Sequence, residues 1–527
     1  MKYKIKFASL MAGLILVSTS CLKDLDTVPI DPDELTSASV YENPASYKQV
    51  LAKLYAGLAV SGQQGPAGRS DISGIDEGFG QYLRGLWYMQ ELTTDEAVIA
   101  WNDQTIKDLH WQTWGPSDVF ITAFYYRIFY QVSICNEFLR ETTDSKLDER
   151  GVSGQLRTDI GYFRAEARFL RALSYWHALD HFGNVPFVTE EDEVGAFFPE
   201  QISRANLFTY VESELKAIEP LLVGARQNEY GRADKGAAWM LLAKLYLNAE
   251  VYIGQARYTD CLNYCNMIIQ AGYSLEPEYK DLFLVDNANS PEVIFPVVYD
   301  GIHTRTYGGT TFLVHASVGG DMDPAASGIA DPWGGTRTTS AFVNKFTDIT
   351  GETDSRAMFF TDGQSLEIED ISLFTHGYAI NKWKNLKSDG SAGDDIYFVG
   401  TDFPMFRLAD VYLMYAEAVL RTGSDVTTAV GYINQLRERA YGDASGNITS
   451  GDLDLDFVLD ERARELYWEG HRRTDLVRYN YFTSDQYLWQ WKGNSTNGVA
   501  TNDKYNLFPI PSADLTANLN LVQNPGY

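Results

Sequence analysis

The sequence predicts a mostly α-helical protein in which a scaffold of stacked helix pairs carries an irregular, loop-rich half. Two observations predict it. Apolar residues recur every three or four positions through several long segments, and between about Tyr273 and Pro404 that period gives way to glycine, threonine and aromatic residues.

The helical segments run from Thr122 to Arg140, Asp159 to His181, Ser203 to Leu222, Ala233 to Ala249 and Tyr258 to Ala271, and then from Phe406 to Arg421, Val426 to Ala440 and Leu455 to Tyr479. Ala165, Ala167 and Ala172 stand beside Phe169, Leu170, Leu173 and Tyr175; Ala237, Ala238 and Ala243 stand beside Trp239, Leu242, Leu245 and Tyr246. Small residues let helices approach closely and large ones fill the gaps between turns. That alternation suits helix pairs of the tetratricopeptide type, which bury their apolar faces only by stacking, although no strict ~34-residue period aligns.

Irregular segments as long as 273–404 are rarely idle connections. A second irregular, aromatic-rich stretch, Ser61 to Trp114, contains Arg84, Trp87, Tyr88, Trp101, Trp111 and Trp114. Loops on a rigid frame are where binding residues tend to sit.

The N-terminus reads as a targeting signal. Lys2, Lys4 and Lys6 precede an apolar stretch, Phe7 to Val17, and then Ser18, Thr19, Ser20 and Cys21. The apolar stretch falls well short of the ~20 residues of a membrane-spanning helix, and no later segment is long and apolar enough. Cysteine directly after small residues matches a bacterial lipoprotein box, with Cys21 as the lipidated first residue; the leucine usual in that box is missing. An ordinary secretory signal with an incidental cysteine is the alternative. Expected boundaries are therefore 1–20 signal peptide, 21–38 tether and 39–527 a single domain, with the irregular region inserted at about 273–404.

The formal net charge is −28, and removing residues 1–20 takes away three lysines and no acid, giving −31. Nucleic acid and anionic lipid are poor general partners for such a field; a neutral ligand, or a cation, is easier to reconcile with it. Beyond Cys21 only Cys135, Cys261 and Cys265 remain, an odd number that implies no disulfide framework. Cys261 and Cys265 read as small apolar packing groups. His177 and His181 share a helix face, but without an intervening glutamate or an evident third ligand they do not make a metal site.

Neutral sugars present hydroxyls and apolar C–H faces, so a glycan site combines flat rings with a few planar donors and acceptors. Trp101, Tyr307 and Trp333 are the candidate platforms if the two irregular stretches meet in space, with Arg84, Asn102, Asp103 and Gln104 as the polar edge. A tryptophan chosen at random is more often core. One set in a glycine-rich loop, such as Asp331-Pro332-Trp333-Gly334-Gly335, has fewer apolar neighbours to bury it. There is no nucleophile elbow, phosphate loop or dinucleotide fingerprint. Acidic pairs such as Asp76-Glu77 and Asp95-Glu96 are common by chance among 71 acids, so no enzyme is expected. The run Asp460 to Gly470, with opposite charges three and four apart, reads as a solvated, ion-paired helix face.

Several segments together resemble the RagB/SusD family of surface glycan-binding lipoproteins of Bacteroidetes. They are Ala165-Glu166-Ala167-Arg168-Phe169-Leu170-Arg171-Ala172 with Phe182-Gly183-Asn184-Val185-Pro186; Gly231 to Ala249; Phe406-Arg407-Leu408-Ala409-Asp410 to Glu417-Ala418; Glu461-Arg462 to Arg478; Phe508-Pro509-Ile510-Pro511; and Asn524-Pro525-Gly526-Tyr527. The resemblance spans essentially the mature chain. It implies four tetratricopeptide-like helix pairs beside an irregular ligand-binding half, lipid anchoring at the outer-membrane surface, and non-catalytic delivery of oligosaccharide or polysaccharide to a SusC-like TonB-dependent transporter. The alternative it leaves is a transporter lid with peptide or glycopeptide cargo.

Within that family the segments Gln90 to Glu96, Ala100-Trp101 and Thr304 to Gly309 are especially similar to the starch-binding member. By that likeness Trp101, Tyr307 and Trp333 match arc aromatics and Arg84 a hydrogen-bonding arginine. Ile99 departs from an expected tryptophan and Gln104 from an asparagine, which puts in doubt a fit to helically curved amylose. No cofactor is expected; a structural calcium ion is left open.

Overall fold

The segments with a three-to-four period are helices in the structure, a computed structural model that describes residues 37–527 apart from 67, 193 and 196. The signal segment and Cys21 lie outside the described residues. Among the described residues, those up to Gln49 and those from Val50 onward belong to two separate units. The first, as far as it is described, holds a short helix, Ser37–Val40, and the start of Ser46–Ala59, with Tyr41 and Tyr47 in ring contact at 5.1 Å.

In the second unit the main helices are α1 (Tyr82–Gln90), α2 (Gln104–Trp111), α3 (Val119–Glu141), α4 (Gly154–His181), α5 (Arg204–Ile218), α6 (Lys235–Leu247), α7 (Tyr258–Gln270), α8 (Gly309–Ser317), α9 (Leu408–Thr422), α10 (Val426–Tyr441), α11 (Leu455–Leu466) and α12 (Arg472–Arg478). Their starts follow from side chains that accept the otherwise unpaired first amides: Asp118 from Phe120 and Ile121, Ser203 from Asn206, Asp234 from Ala237 and Asp454 from Phe457. Gly423 ends α9 in the left-handed conformation that glycine adopts freely.

Each scaffold helix packs on the next: α3 on α4, α4 on α5, α5 on α6, α6 on α7, α7 on α9, and α9 on both α10 and α11. The expected small-residue seams are buried, with Ala165, Ala167, Ala172, Ala237, Ala238 and Ala243 all inaccessible or nearly so. The partner of α7 is α9, which the chain reaches only after the whole irregular region. That region therefore leaves and re-enters the stack between two touching helices. The protein is mostly α, with a few short two-stranded antiparallel sheets; one pairs Val293–Val297 with Phe403–Arg407.

Several expectations change. The stretch 61–114 is not irregular throughout, since it contains α1 and α2. Region 273–404 contains α8, whose nine residues are all buried, so it carries no amphipathic period to detect. The segment Leu455 to Tyr479 is two helices, not one. Trp468 and Gly470 have φ of +62° and +82° and break it. The break buries the Trp468 ring edge-on to Trp87 at 5.4 Å, its indole N–H donates to Glu96 O at 2.9 Å, and the amides of Gly470 and His471 donate to Glu91 Oε1 at 2.6 and 3.0 Å.

The run 460–470 is not a solvated face either. Glu461, Arg462, Glu465 and Glu469 are all buried, and cations from distant segments neutralise the acids. His177 and His181 are buried too, hydrogen-bonded through Tyr82 Oη at 2.8 Å and Gln90 Nε2 at 3.1 Å. Cys261 and Cys265 pack in the interior with their Sγ atoms 3.9 Å apart. Among the described residues no group of His, Cys, Asp and Glu side chains is placed to hold a metal ion, and no helix is long and apolar enough to cross a membrane.

The Glu91 and Glu96 pair at that helix break gives a measurable pH signature. Burial pushes Glu91 up to about 7, and burial with the neighbouring Glu91 charge holds Glu96 well above the usual carboxylate range. The folded state thus binds more protons than the unfolded chain between about pH 4.5 and 7, and this contribution to stability is lost as pH rises through that window. Glu91→Gln keeps an acceptor for the two amides and removes the charge. Its Tm is expected about 1–3 °C above that of the parent at pH 8 and level with it at pH 5. An equal offset at both pH values in thermal melts would contradict this reading.

Candidate functional site

Two short strands bring the irregular stretches together. Val98–Ile99 pairs antiparallel with Thr336–Arg337, Ile99 opposite Thr336, and the Ala100 amide extends the ladder by donating to Gly335 O at 2.9 Å. β-branched residues at three of these four positions suit a pleated, buried ladder. Arg337, fully buried, ties the same corner by donating to the carbonyls of Gly335, Ile371 and His376.

The next segment closes the end of α8. Amides of Trp333, Gly334 and Gly335 donate to the carbonyls of His315, Val318 and Ala316, each at 2.8 Å. They satisfy acceptors that the helix leaves unpaired at its C-terminal end, so the Trp333 loop is fixed by backbone bonding.

At the other end of α8, Gly309 has φ +55° and its amide donates to Gln81 Oε1 at 2.9 Å. A Cβ at Gly309 would overlap the Tyr299 hydroxyl, so only glycine lets the chain pass there. Tyr307, two residues earlier, is thereby brought against Arg84, whose Nη1 donates to Tyr307 O at 2.9 Å.

Three rings converge. Trp101 and Trp333 lie 6.4 Å apart between centroids with an interplanar angle of 48°, and Trp333 and Tyr307 lie 6.1 Å apart at 67°. The Trp101 Nε1–H donates to Trp333 O at 3.1 Å, adding a side-chain link between loops that backbone bonds already hold. Gly335 lies under Trp101, where an added Cβ would come within 2.8 Å of the indole. Tyr307 is 39% exposed, while Trp101 and Trp333 are half-buried and part-open to solvent. The geometry is that of an open surface of tilted rings rather than a deep slot.

The layer beneath was not legible in the sequence. Phe312 of α8 contacts Trp101 at 6.2 Å and His315, one turn on, contacts Trp333 at 5.0 Å. His315 Nδ1–H donates to Asp331 O at 2.6 Å, and burial lowers its pKa, so a neutral ring supports Trp333. Phe398 backs Tyr307 at 5.9 Å. The one signal for Phe312 and His315 was their one-turn spacing.

Arg84 stands where the rings meet. Its guanidinium lies 4.5 Å from the Phe312 centroid and 5.7 Å from that of Trp101, and its Nε donates to Tyr88 Oη at 2.9 Å. Its Nη2 keeps its donors free of protein acceptors among the described residues. Asn102, Asp103 and Gln104 are exposed at the start of α2; Lys107 Nζ donates to Asn102 Oδ1, and Gln104 Nε2 donates to Asp108 Oδ1 at 3.0 Å. Ile99 is buried in its strand, its amide bonded to His110 Nε2 at 3.0 Å, and adds nothing to the surface.

The acidic pairs have structural roles. Asp95 is buried against Arg472 at 2.7 Å, and Asp76 accepts the amides of Gly78 and Phe79 in its own turn. A cavity of about 380 Å³, lined by Lys53, Gly57, Val60, Arg69, Asp71 and Tyr130 among others, shares no residue with the rings.

The fold and site thus define a helix-pair scaffold protein that displays an open aromatic platform assembled from distant loops. The chain is 36% identical to the starch-binding protein SusD of Bacteroides thetaiotaomicron over 571 aligned positions, covering 99% of this chain and 98% of that protein. It is 26% identical to SusD-like protein P25 of Formosa agariphila, over 81% and 82% of the two chains. Residues 348–527 match the sequence model of the SusD family. Among solved structures, a SusD superfamily protein from Parabacteroides distasonis superposes with a TM-score of 0.71 at 23% identity, over 94% of this chain and all of that one. Surface glycan-binding protein A from Bacteroides fluxus superposes with a TM-score of 0.69 at 19% identity, over 92% and 100%. This chain belongs to the SusD family.

Proposed function

We propose that this protein is a non-catalytic receptor for a neutral oligosaccharide or polysaccharide, bound across Trp101, Trp333 and Tyr307. The carrying observation is the convergence of these rings, from three separate loop segments, on an open surface beside the unspent donors of Arg84. Tilted rings about 6 Å apart offer apolar faces to successive sugar units, and aromatic groups supply large contact area at little entropic cost. Asn102, Asp103 and Gln104 serve as the polar edge. The chain's negative charge favours a neutral ligand over an anionic one.

Anchoring through a lipid on Cys21 at the outer-membrane surface, with transfer of the glycan to a SusC-like TonB-dependent transporter, completes the reading. It rests on family membership and on the lipoprotein-like start of the sequence. α-Glucans head the test panel because the relative sharing 36% identity is a starch-binding protein. Calorimetry or affinity gels across α-glucans, β-glucans, mannans and fructans are expected to show binding to at least one. Binding to none, or to charged peptides instead, would overturn the proposal.

A further inference from the structure

We infer that the platform continues past Tyr307 and Trp333 onto a further sugar subsite made by Tyr397 and Arg305. The inference rests on the reading of the platform as a glycan surface.

Tyr397 lies in the loop 395–398, which is bound to the platform on both of its flanks. On one side the Ala330 amide donates to Ile396 O at 3.1 Å, joining this loop to the one that carries Trp333. On the other, the ring of Phe398 backs Tyr307 at 5.9 Å. Amides of Tyr397 and Phe398 both donate to Asp395 Oδ1, at 2.7 and 3.1 Å, so the loop is held by its own turn.

Fixed in this way, Tyr397 is nonetheless 53% exposed, and among the described residues no other ring or cation is stacked on it. An exposed aromatic side chain on a pinned loop costs little to order when a ligand covers it. A donor accompanies it. Arg305 is exposed, its guanidinium lies 4.6 Å from the centroid of Phe398, and its N–H groups meet no protein acceptor among the described residues. Arg305, held over the neighbouring Phe398 ring, places a planar donor at the same loop as Tyr397. A ligand long enough to pass Tyr307 meets a second platform with its own planar donor.

The consequence is a dependence of affinity on ligand length. Calorimetry with maltotriose and maltoheptaose compares the parent protein, Tyr397→Ala and Arg305→Ala, with melting curves for each. Tyr397→Ala is expected to weaken maltoheptaose about three- to tenfold, with maltotriose binding and Tm unchanged, and Arg305→Ala to act in the same direction. Unchanged maltoheptaose binding in Tyr397→Ala overturns the subsite and leaves the three-ring platform standing. Equal weakening of both sugars also overturns it, since Tyr397 then belongs to the central site or its support. Parent protein that binds neither sugar overturns the subsite as an α-glucan site, and the wider glycan panel then decides the platform itself.

Discussion

Arg407→Ala is expected to lower stability by about 3–5 kcal/mol, the largest effect of any single substitution considered, because it strands buried carboxylates. Arg407 is almost wholly buried and bonds Glu292 at 2.7 Å, Glu465 at 2.7 Å and Glu469 at 2.6 Å, with a further bond to Glu465 O at 2.7 Å. All three acids are inaccessible to solvent. Burial alone would raise Glu465, yet the cations Arg439, Arg407 and Arg356 hold it down at about 2. Deleting one of the three removes compensation that water cannot replace at that depth. Arg356 and Lys382 reach the same cluster from the irregular half, pairing with Glu461 at 2.8 Å and Glu469 at 2.7 Å. The network therefore fastens the platform-bearing half to the helical stack. Urea denaturation would measure the loss, with Arg407→Lys recovering only part because it lacks the planar fork. A loss under about 1 kcal/mol for Arg407→Ala would show the network to be dispensable.

Trp101→Ala combined with Trp333→Ala is expected to abolish measurable glycan binding while leaving the fold intact. Each ring contributes on the order of 1–2 kcal/mol as a contact anchor, about five- to thirtyfold in Kd, and the two are coupled because the Trp101 indole donates to Trp333 O. Neither ring is buried in the core, and the backbone bonds that cap α8 do not need the Trp333 side chain. Tm is therefore expected to stay within about 2 °C of the parent. If the double variant instead melts far lower, the tryptophans are structural. If it binds glycan as tightly as the parent, the platform is not the site.

The aromatic residues of the platform were legible one by one, since tryptophan and tyrosine in glycine-rich loops have few apolar neighbours to bury them. Their supports were not. Phe312 and His315 sit on a helix buried on every side, which erases the period that would reveal it. Tyr397 lies in a loop whose attachment to Ala330 no local pattern announces. The acid-rich run 460–470 misled for a related reason. Opposite charges three and four apart look alike on a wet helix and on one buried against distant arginines; among the described residues the pair Glu461 with Arg464 is the local one in this run.

What the sequence by itself determined was everything set within a few turns of chain: the helical period, the caps at Asp118, Ser203, Asp234 and Asp454, and the alanine seams. Tertiary structure alone decided which charges went inside, where Trp468 broke a helix, and that rings 232 positions apart would share a surface. The first group depends on neighbours along the backbone, whereas the second depends on contacts whose free energy exists only once remote segments have met.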